Sequence, residues 1–177
     1  MRRYAGLPCL MWVICLASAR DRGLPATEGI GNFGQVDEHL YRGAQPDVAG
    51  LESLQRLGVR TIINLRQTND VWRAEEAEAQ AKGILHTNLP LSGVGRPTTE
   101  QVETILALIQ RLPSPVFVHC QHGCDRTGTI VACYRIRQGR WTAQAAQAEA
   151  NRYGMSSLVR GMRRFVAEFT EATRPAR

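Results

Sequence analysis

Val116-Phe117-Val118-His119-Cys120-Gln121-His122-Gly123-Cys124-Asp125-Arg126-Thr127-Gly128 is the stretch from which the rest of the chain can be read. Three apolar residues rich in β-branched and aromatic side chains read as a short buried strand. A tight loop from Cys120 to Arg126 follows, and the residues from about Thr127 to Gln138 read as a helix. Working upstream, a short strand is expected near His39-Leu40-Tyr41, then a helix capped by Asp47 with Leu51, Leu54 and Leu57 at helical spacing and Gly58 as its stop. Val59 to Leu65 reads as a buried strand. Asp70 is expected to cap a helix running through Lys82, Ile84 to Leu89 to form a strand, and Pro90 to Pro97 to form a loop. Thr99 should cap a third helix, whose apolar face is Val102, Ile105, Leu106 and Ile109.

Downstream, two more helices are expected. One is capped by Thr142 and the other by Ser156 or Ser157, the last carrying Leu158, Met162, Phe165 and Phe169 on one side. Strands alternating with helices give an α/β fold, a central mostly parallel sheet flanked by helices. The Cys120 loop then lies between the last core strand and a helix, at the carboxyl edge where such sheets bind ligands.

Length and composition fit one domain without repeats, here residues 34–172 after an irregular lead-in at 20–33. The formal charge of +6 is a modest excess, and Lys82 is the only lysine. Arg160-Gly161-Met162-Arg163-Arg164 is too short a cluster for a nucleic-acid footprint and reads as a solvated helix face.

The first nineteen residues, MRRYAGLPCLMWVICLASA, carry a cationic start, an apolar stretch from Leu7 to Leu16, and Ala17-Ser18-Ala19. These are the parts of a secretory signal, with cleavage expected after Ala19 and export to a periplasmic or extracellular space. An uncleaved anchor is the alternative, although the stretch is short for a membrane span. The mature chain would keep Cys120, Cys124 and Cys133, an odd count that leaves at least one free thiol in an oxidising compartment.

A cysteine with an arginine six positions later would occur about 0.6 times by chance in this composition, so the spacing carries little by itself. Placement carries more. Backbone N–H groups curling into a helix N-terminus make an anion cradle, and Gly123 and Gly128 let the backbone turn and approach closely. The field that holds an anion also stabilises a thiolate, which makes Cys120 the candidate nucleophile. Arg126 closes the loop, where its planar fork can bind two phosphoryl oxygens. Thr127 can donate a hydrogen bond to the sulfur.

His119-Cys120-x5-Arg126-Thr127 resembles the signature of the protein tyrosine phosphatase superfamily. Leu40-Tyr41-Arg42-Gly43-Ala44-Gln45-Pro46 and Leu57 to Arg66 are similar to the opening of its compact dual-specificity branch, and the likeness extends over about residues 33–170. The resemblance implies a cysteine-dependent phosphatase acting through a phosphocysteine intermediate, with no metal or other cofactor. It implies that Cys120, Arg126 and Thr127 act in catalysis and that the backbone of Gln121, His122, Gly123, Cys124 and Asp125 cradles phosphate, with Gly128 beside it. Phosphorylated proteins and inositides are the implied partners of a monomer.

One family feature is missing. The general acid usually stands on a loop about thirty residues before the cysteine, and no aspartate occurs between Asp70 and Asp125. Asp125 is the first candidate, because some lipid and inositide phosphatases of the superfamily are similar in having Asp just before the arginine, and like charge from a bound phosphate favours the protonated carboxyl. Glu100 and Asp70 are the reserves, and a purely structural Asp125 is the rival. Cys124 is a candidate disulfide partner for Cys120, Cys133 reads as core, and His119 as a residue that orients the loop. A metal site at His119, Cys120, His122 and Cys124 is disfavoured because adjacent ligands close a tetrahedron poorly. A sulfurtransferase would not need the arginine. A phosphate-binding module without efficient turnover is the non-enzymatic alternative, and it would not need the nucleophile.

Overall fold

The computed structural model describes residues 26–70 and 72–169. The expected signal segment and residues 20–25 of the lead-in lie outside the described residues. Among the described residues five strands, β1 (Gly34–Gln35), β2 (Leu40–Gly43), β3 (Thr61–Asn64), β4 (Leu85–Asn88) and β5 (Val116–His119), form one sheet in the order β1-β2-β5-β3-β4. All neighbours are parallel except β1 and β2. The helices are α1 (Val48–Arg56), α2 (Glu75–Ala81), α3 (Thr99–Arg111), α4 (Asp125–Arg137), α5 (Ala143–Arg152) and α6 (Arg160–Glu168).

Alternation along the central strands sorts the two faces. Val116 and Val118 of β5 join Ile63 of β3 in a core with Val102, Ile105 and Ile109 of α3, Ile130 of α4 and Phe165 of α6. Phe117 and Ile62 point the other way, toward Leu51 and Leu54 of α1 and Ala79 of α2. β5 is buried along its whole length, as a central parallel strand must be. Fully burying Phe117 contributes roughly 1.5–3 kcal/mol.

Several expected boundaries shift, each for a local reason. Thr98, not Thr99, caps α3, because its side chain accepts from the Gln101 N–H while Gln101 reaches back in a capping box. Among the described residues Asp70 caps no helix: Arg66 takes its carboxylate, and α2 starts later behind Ala74. Neither Ser156 nor Ser157 caps α6, which begins after Val159 without a side-chain cap; Ser156 bonds within its own turn to Leu158 N–H. Leu158 is 79% exposed and leaves the apolar side to Met162, Phe165 and Phe169. α4 begins at Asp125, two residues early. The lead-in is less irregular than composition suggests, since Thr27 and Ile30 bridge and Ile30 enters the core. Among the described residues no helix is long and apolar enough to cross a membrane.

Candidate active site

Because β5 ends at His119 and α4 starts at Asp125, the loop between them sits at the carboxyl edge of the sheet with the first turn of α4 aimed into it. Gly123 closes this loop at φ +68°, and a Cβ there would come 2.5 Å from the carbonyl carbon of Gly43. Both the conformation and the space exclude a side chain. Arg42 of β2, fully buried, donates from Nη2 to the Gly123 carbonyl at 2.8 Å and lays its guanidinium 3.7 Å from the centre of the Tyr153 ring. Burial pushes its pKa down to about 10, partly opposed by Tyr153 and Glu149, so it stays charged at neutral pH. The Asn32 amide braces the outer side of the loop, donating to the carbonyls of His122 at 3.2 Å and Tyr153 at 2.9 Å.

The loop floors a cleft of about 420 Å³ into which Cys120, Gln121, His122, Asp125 and Arg126 open. Five of the residues read from sequence therefore meet in one place. Gln67 and Asp70 form one wall, Gly93 and Val94 another, and Ser156, Leu158 and Val159 a third. Cys120 is 3% exposed, at the bottom. Thr127 is wholly buried in the first turn of α4, and Gly128 donates its N–H to the Cys124 carbonyl at 2.9 Å and packs under Met155 and Ala150. Gly128 thus permits close helix packing; its amide belongs to the helix. Cys124 turns its thiol toward the His122 carbonyl at 3.2 Å and the Asn32 amide. Burial pushes the Cys133 thiol well above the ordinary range.

The three acid candidates separate cleanly. Asp125 is in the cleft and accepts the Ser156 N–H on Oδ1 at 2.8 Å. Asp70 is also in the cleft, but Arg66 donates to it from Nη2 at 2.8 Å and Nε at 3.4 Å, and Arg126 Nη2 stands 3.9 Å away. The Arg66 hydrogen bond, with charge from Arg66 and Arg126, holds the Asp70 carboxyl below the usual range, which suits an ion-pair partner better than a proton donor. Glu100 lines a different, apolar hollow beside Leu91 and Ile105 and is outside the cleft.

Sequence reading missed Glu75. It begins α2 yet is wholly buried, behind the loop. Its Oε1 accepts Gln45 Nε2 at 2.7 Å and lies 2.9 Å from His119 Nε2; its Oε2 accepts Asn64 Nδ2 at 2.6 Å and lies 3.3 Å from His86 Nε2. Burial alone would raise its pKa, but the contacts with His119 and His86 outweigh it and hold the carboxyl well below the ordinary range. Nothing in Glu75-Glu76-Ala77-Glu78 marks one of three acids for burial.

Residues 25–167 match the family described as DSP-PTPase phosphatase fused to NAD+ kinase. The chain belongs to this family of tyrosine and dual-specificity-type phosphatases. It is 32% identical over 130 residues to OCA1 of Mycosarcoma maydis, named as a tyrosine-protein phosphatase, covering 69% of this chain and 79% of that one. It is 34% identical over 125 residues to the dual specificity protein phosphatase TpbA of Pseudomonas aeruginosa, covering 70% of this chain and 55% of that protein, so the match spans about half of the TpbA chain. The crystal structure of TpbA superposes with a TM-score of 0.61 at 27% identity, covering 85% of this chain and 99% of that one. The catalytic core of the S. cerevisiae phosphatase SIW14 shares the fold, with a TM-score of 0.72 at 21% identity over 84% of this chain and 91% of that one. The mixed sheet with its loop before α4 is therefore the cysteine phosphatase fold.

Proposed function

We propose that this phosphatase hydrolyses phosphate monoesters through Cys120 and that aryl phosphates, phosphotyrosine in the first place, are its substrates. The observation that carries the chemistry is the convergence of Cys120, Arg126 and the start of α4 on the floor of one cleft. The Cys120 thiolate attacks phosphorus while Arg126 and the loop N–H groups hold the equatorial oxygens. The phosphorus–oxygen ester bond breaks and Asp125 gives its proton to the leaving oxygen. The Asp125 carboxylate then takes a proton from water as that water attacks the phosphocysteine, and inorganic phosphate leaves with the thiolate restored.

The rim supports the substrate class. Val94 and Leu158, both 79% exposed, stand on separate walls of the cleft, an apolar lining for a ring attached to the phosphate. Arg126 is accompanied there by two carboxylates, Asp70 and Asp125, and by no lysine, a poor setting for a headgroup carrying several phosphates. TpbA supplies a parallel, since a Cys-to-Ser form of that protein has been crystallised with phosphotyrosine.

The deciding assay compares the full chain with Cys120→Ser on phosphotyrosine peptides and on an inositide panel at low salt. Cys120-dependent release from the peptides supports the reading. Release only from inositides would replace the substrate class, and release from neither would leave a phosphate-binding module. The export signal at residues 1–19 is part of the same proposal, and N-terminal sequencing of the mature protein tests cleavage after Ala19.

A further inference from the structure

We propose that the free edge of β4 is a docking strip that recruits an extended, apolar and basic segment of the phosphoprotein substrate. The inference rests on the phosphatase reading only for the molecule to which the segment belongs; the strip itself rests on the sheet.

β4 closes one side of the sheet. Its inner neighbour is β3, and among the described residues no strand pairs with its other edge. The Leu85 N–H donates to the Arg60 carbonyl at 3.0 Å and the Leu89 N–H to the Asn64 carbonyl at 2.8 Å. Alternation then turns the backbone N–H and C=O of His86 and Asn88 outward, and both residues are partly exposed. Open edges are commonly blunted by a lysine, a proline or a bulge. Leu85-His86-Thr87-Asn88 holds neither residue, and its register with β3 runs without interruption. The chain that fits such an edge is an extended one, because a strand presents donors and acceptors at the matching repeat.

The side chains beside the edge say what that strand should carry. Leu85, Thr87 and Leu89 share the face of the sheet toward α3, opposite to His86 at Glu75. α3 leaves this margin partly uncovered: Leu85 is 46% exposed, and Leu89 and Leu108 are only half-buried against the core. At the Leu89 end the margin deepens into a hollow of about 300 Å³, with Leu89, Leu91 and Ile105 as its apolar lining and Glu100, Gln101 and Thr104 from α3 as its polar side. Side chains of a bound strand return to one face every second residue, about 7 Å apart, so apolar residues at alternate positions would cover both the hollow and Leu85. Glu100 is exposed and is the charged residue of the hollow, which favours a lysine or arginine in the segment over an acid. The same stretch of chain runs on from Leu91 to Gly93 and Val94 in the wall of the cleft. A segment held on β4 therefore lies beside the place where phosphate is bound.

The test titrates a fluorescein-labelled peptide, alternating leucine with threonine and ending in arginine, against the full chain by fluorescence anisotropy. Saturable binding is expected. Leu85→Lys, which sets a charge on the strip, should weaken it roughly tenfold or more, and Glu100→Arg severalfold, with a preference for the same peptide ending in glutamate. Both positions are exposed, and both variants should keep the wild-type circular dichroism and turnover of p-nitrophenyl phosphate. Joining the peptide through a glycine-serine linker to a phosphotyrosine peptide should raise kcat/KM severalfold in the wild type and not in Leu85→Lys. No saturable binding, or equal binding by the wild type and both variants, overturns the strip. Binding without the gain in kcat/KM overturns recruitment of substrate. Dimers that Leu85→Lys dissolves would make the occupant a second copy of this chain and overturn the proposal as well. If the peptide binds while Cys120-dependent turnover is absent, the phosphatase reading fails and the docking strip stands.

Discussion

Arg42 Nη2 donates to the Gly123 carbonyl oxygen at 2.8 Å, so the strand beside β5 grips the loop from Cys120 to Arg126 at the point where it turns back on itself. The same guanidinium is wholly buried, and among the described residues its Nε and Nη1 have no hydrogen-bond partner. Its desolvation is therefore only partly offset, by one charge-assisted bond and one stacking contact on Tyr153.

That imbalance separates stability from activity. Apolar replacements of incompletely paired buried charges are often neutral or stabilising. Arg42→Met should change the unfolding free energy in urea by no more than about 1 kcal/mol, while kcat/KM on an aryl phosphate falls roughly tenfold or more because the loop loses its tether and a nearby positive charge. A large loss of stability with unchanged kinetics in the folded fraction would contradict this account.

Gly123 and Gly58 share a positive φ, +68° and +76°, but differ in space. A Cβ at Gly58 meets nothing within 4 Å, whereas at Gly123 it meets the backbone of Gly43 and the Ala44 nitrogen. Gly58→Ala should cost about 1 kcal/mol of backbone strain and leave turnover intact. Gly123→Ala should cost more than that and reduce kcat/KM by roughly a hundredfold, since the loop must shift to admit the methyl group. Urea titration and steady-state assays on both variants check the contrast.

What the sequence revealed follows how local each signal is. Val116 to Val118, the turn at Gly58 and the α3 face of Val102, Ile105, Leu106 and Ile109 declare themselves through neighbours a few positions away, and the structure keeps them. The fate of Asp70 depended on Arg66 beating the α2 amides for its carboxylate, and the exposure of Leu158 on the turn that Ser156 makes with the Leu158 N–H and that Asp125 holds against α4. Both are decided by side chains competing in space. The loop from Cys120 to Arg126 was legible because strand, glycine and helix are contiguous there. Its support from Asn32, Arg42, Glu75 and Tyr153 was not, because those residues come from distant segments and resemble ordinary loop, strand and helix residues.

Asp125→Asn is a clean variant, since an Asn side-chain oxygen can still accept the Ser156 N–H and keep the turn in place. If Asp125 protonates the leaving oxygen, turnover of phosphotyrosine should fall roughly 10²-fold or more, with a much smaller loss on p-nitrophenyl phosphate, whose leaving group hardly needs a proton. Equal losses on both substrates, measured as kcat at fixed pH, would assign Asp125 a structural role.

Glu75 predicts the direction of acid sensitivity. Its carboxyl is held below the unfolded value of 4.5, so the stability it contributes is fully present above that pH and is lost as pH falls toward the folded value. Wild-type unfolding free energy should therefore drop below about pH 4.5 more steeply than that of Glu75→Gln, which has no proton to take up there. At pH 7 the wild type is the more stable: removing the carboxylate breaks a buried, fully bonded group and should destabilise Glu75→Gln by a few kcal/mol, with about 3–5 kcal/mol as the upper range for breaking a buried ion pair. Urea titrations of both proteins from pH 3 to pH 7 should show the two stability curves converging on the acid side. Parallel curves over that range would mean that Glu75 is not ionised in the folded protein.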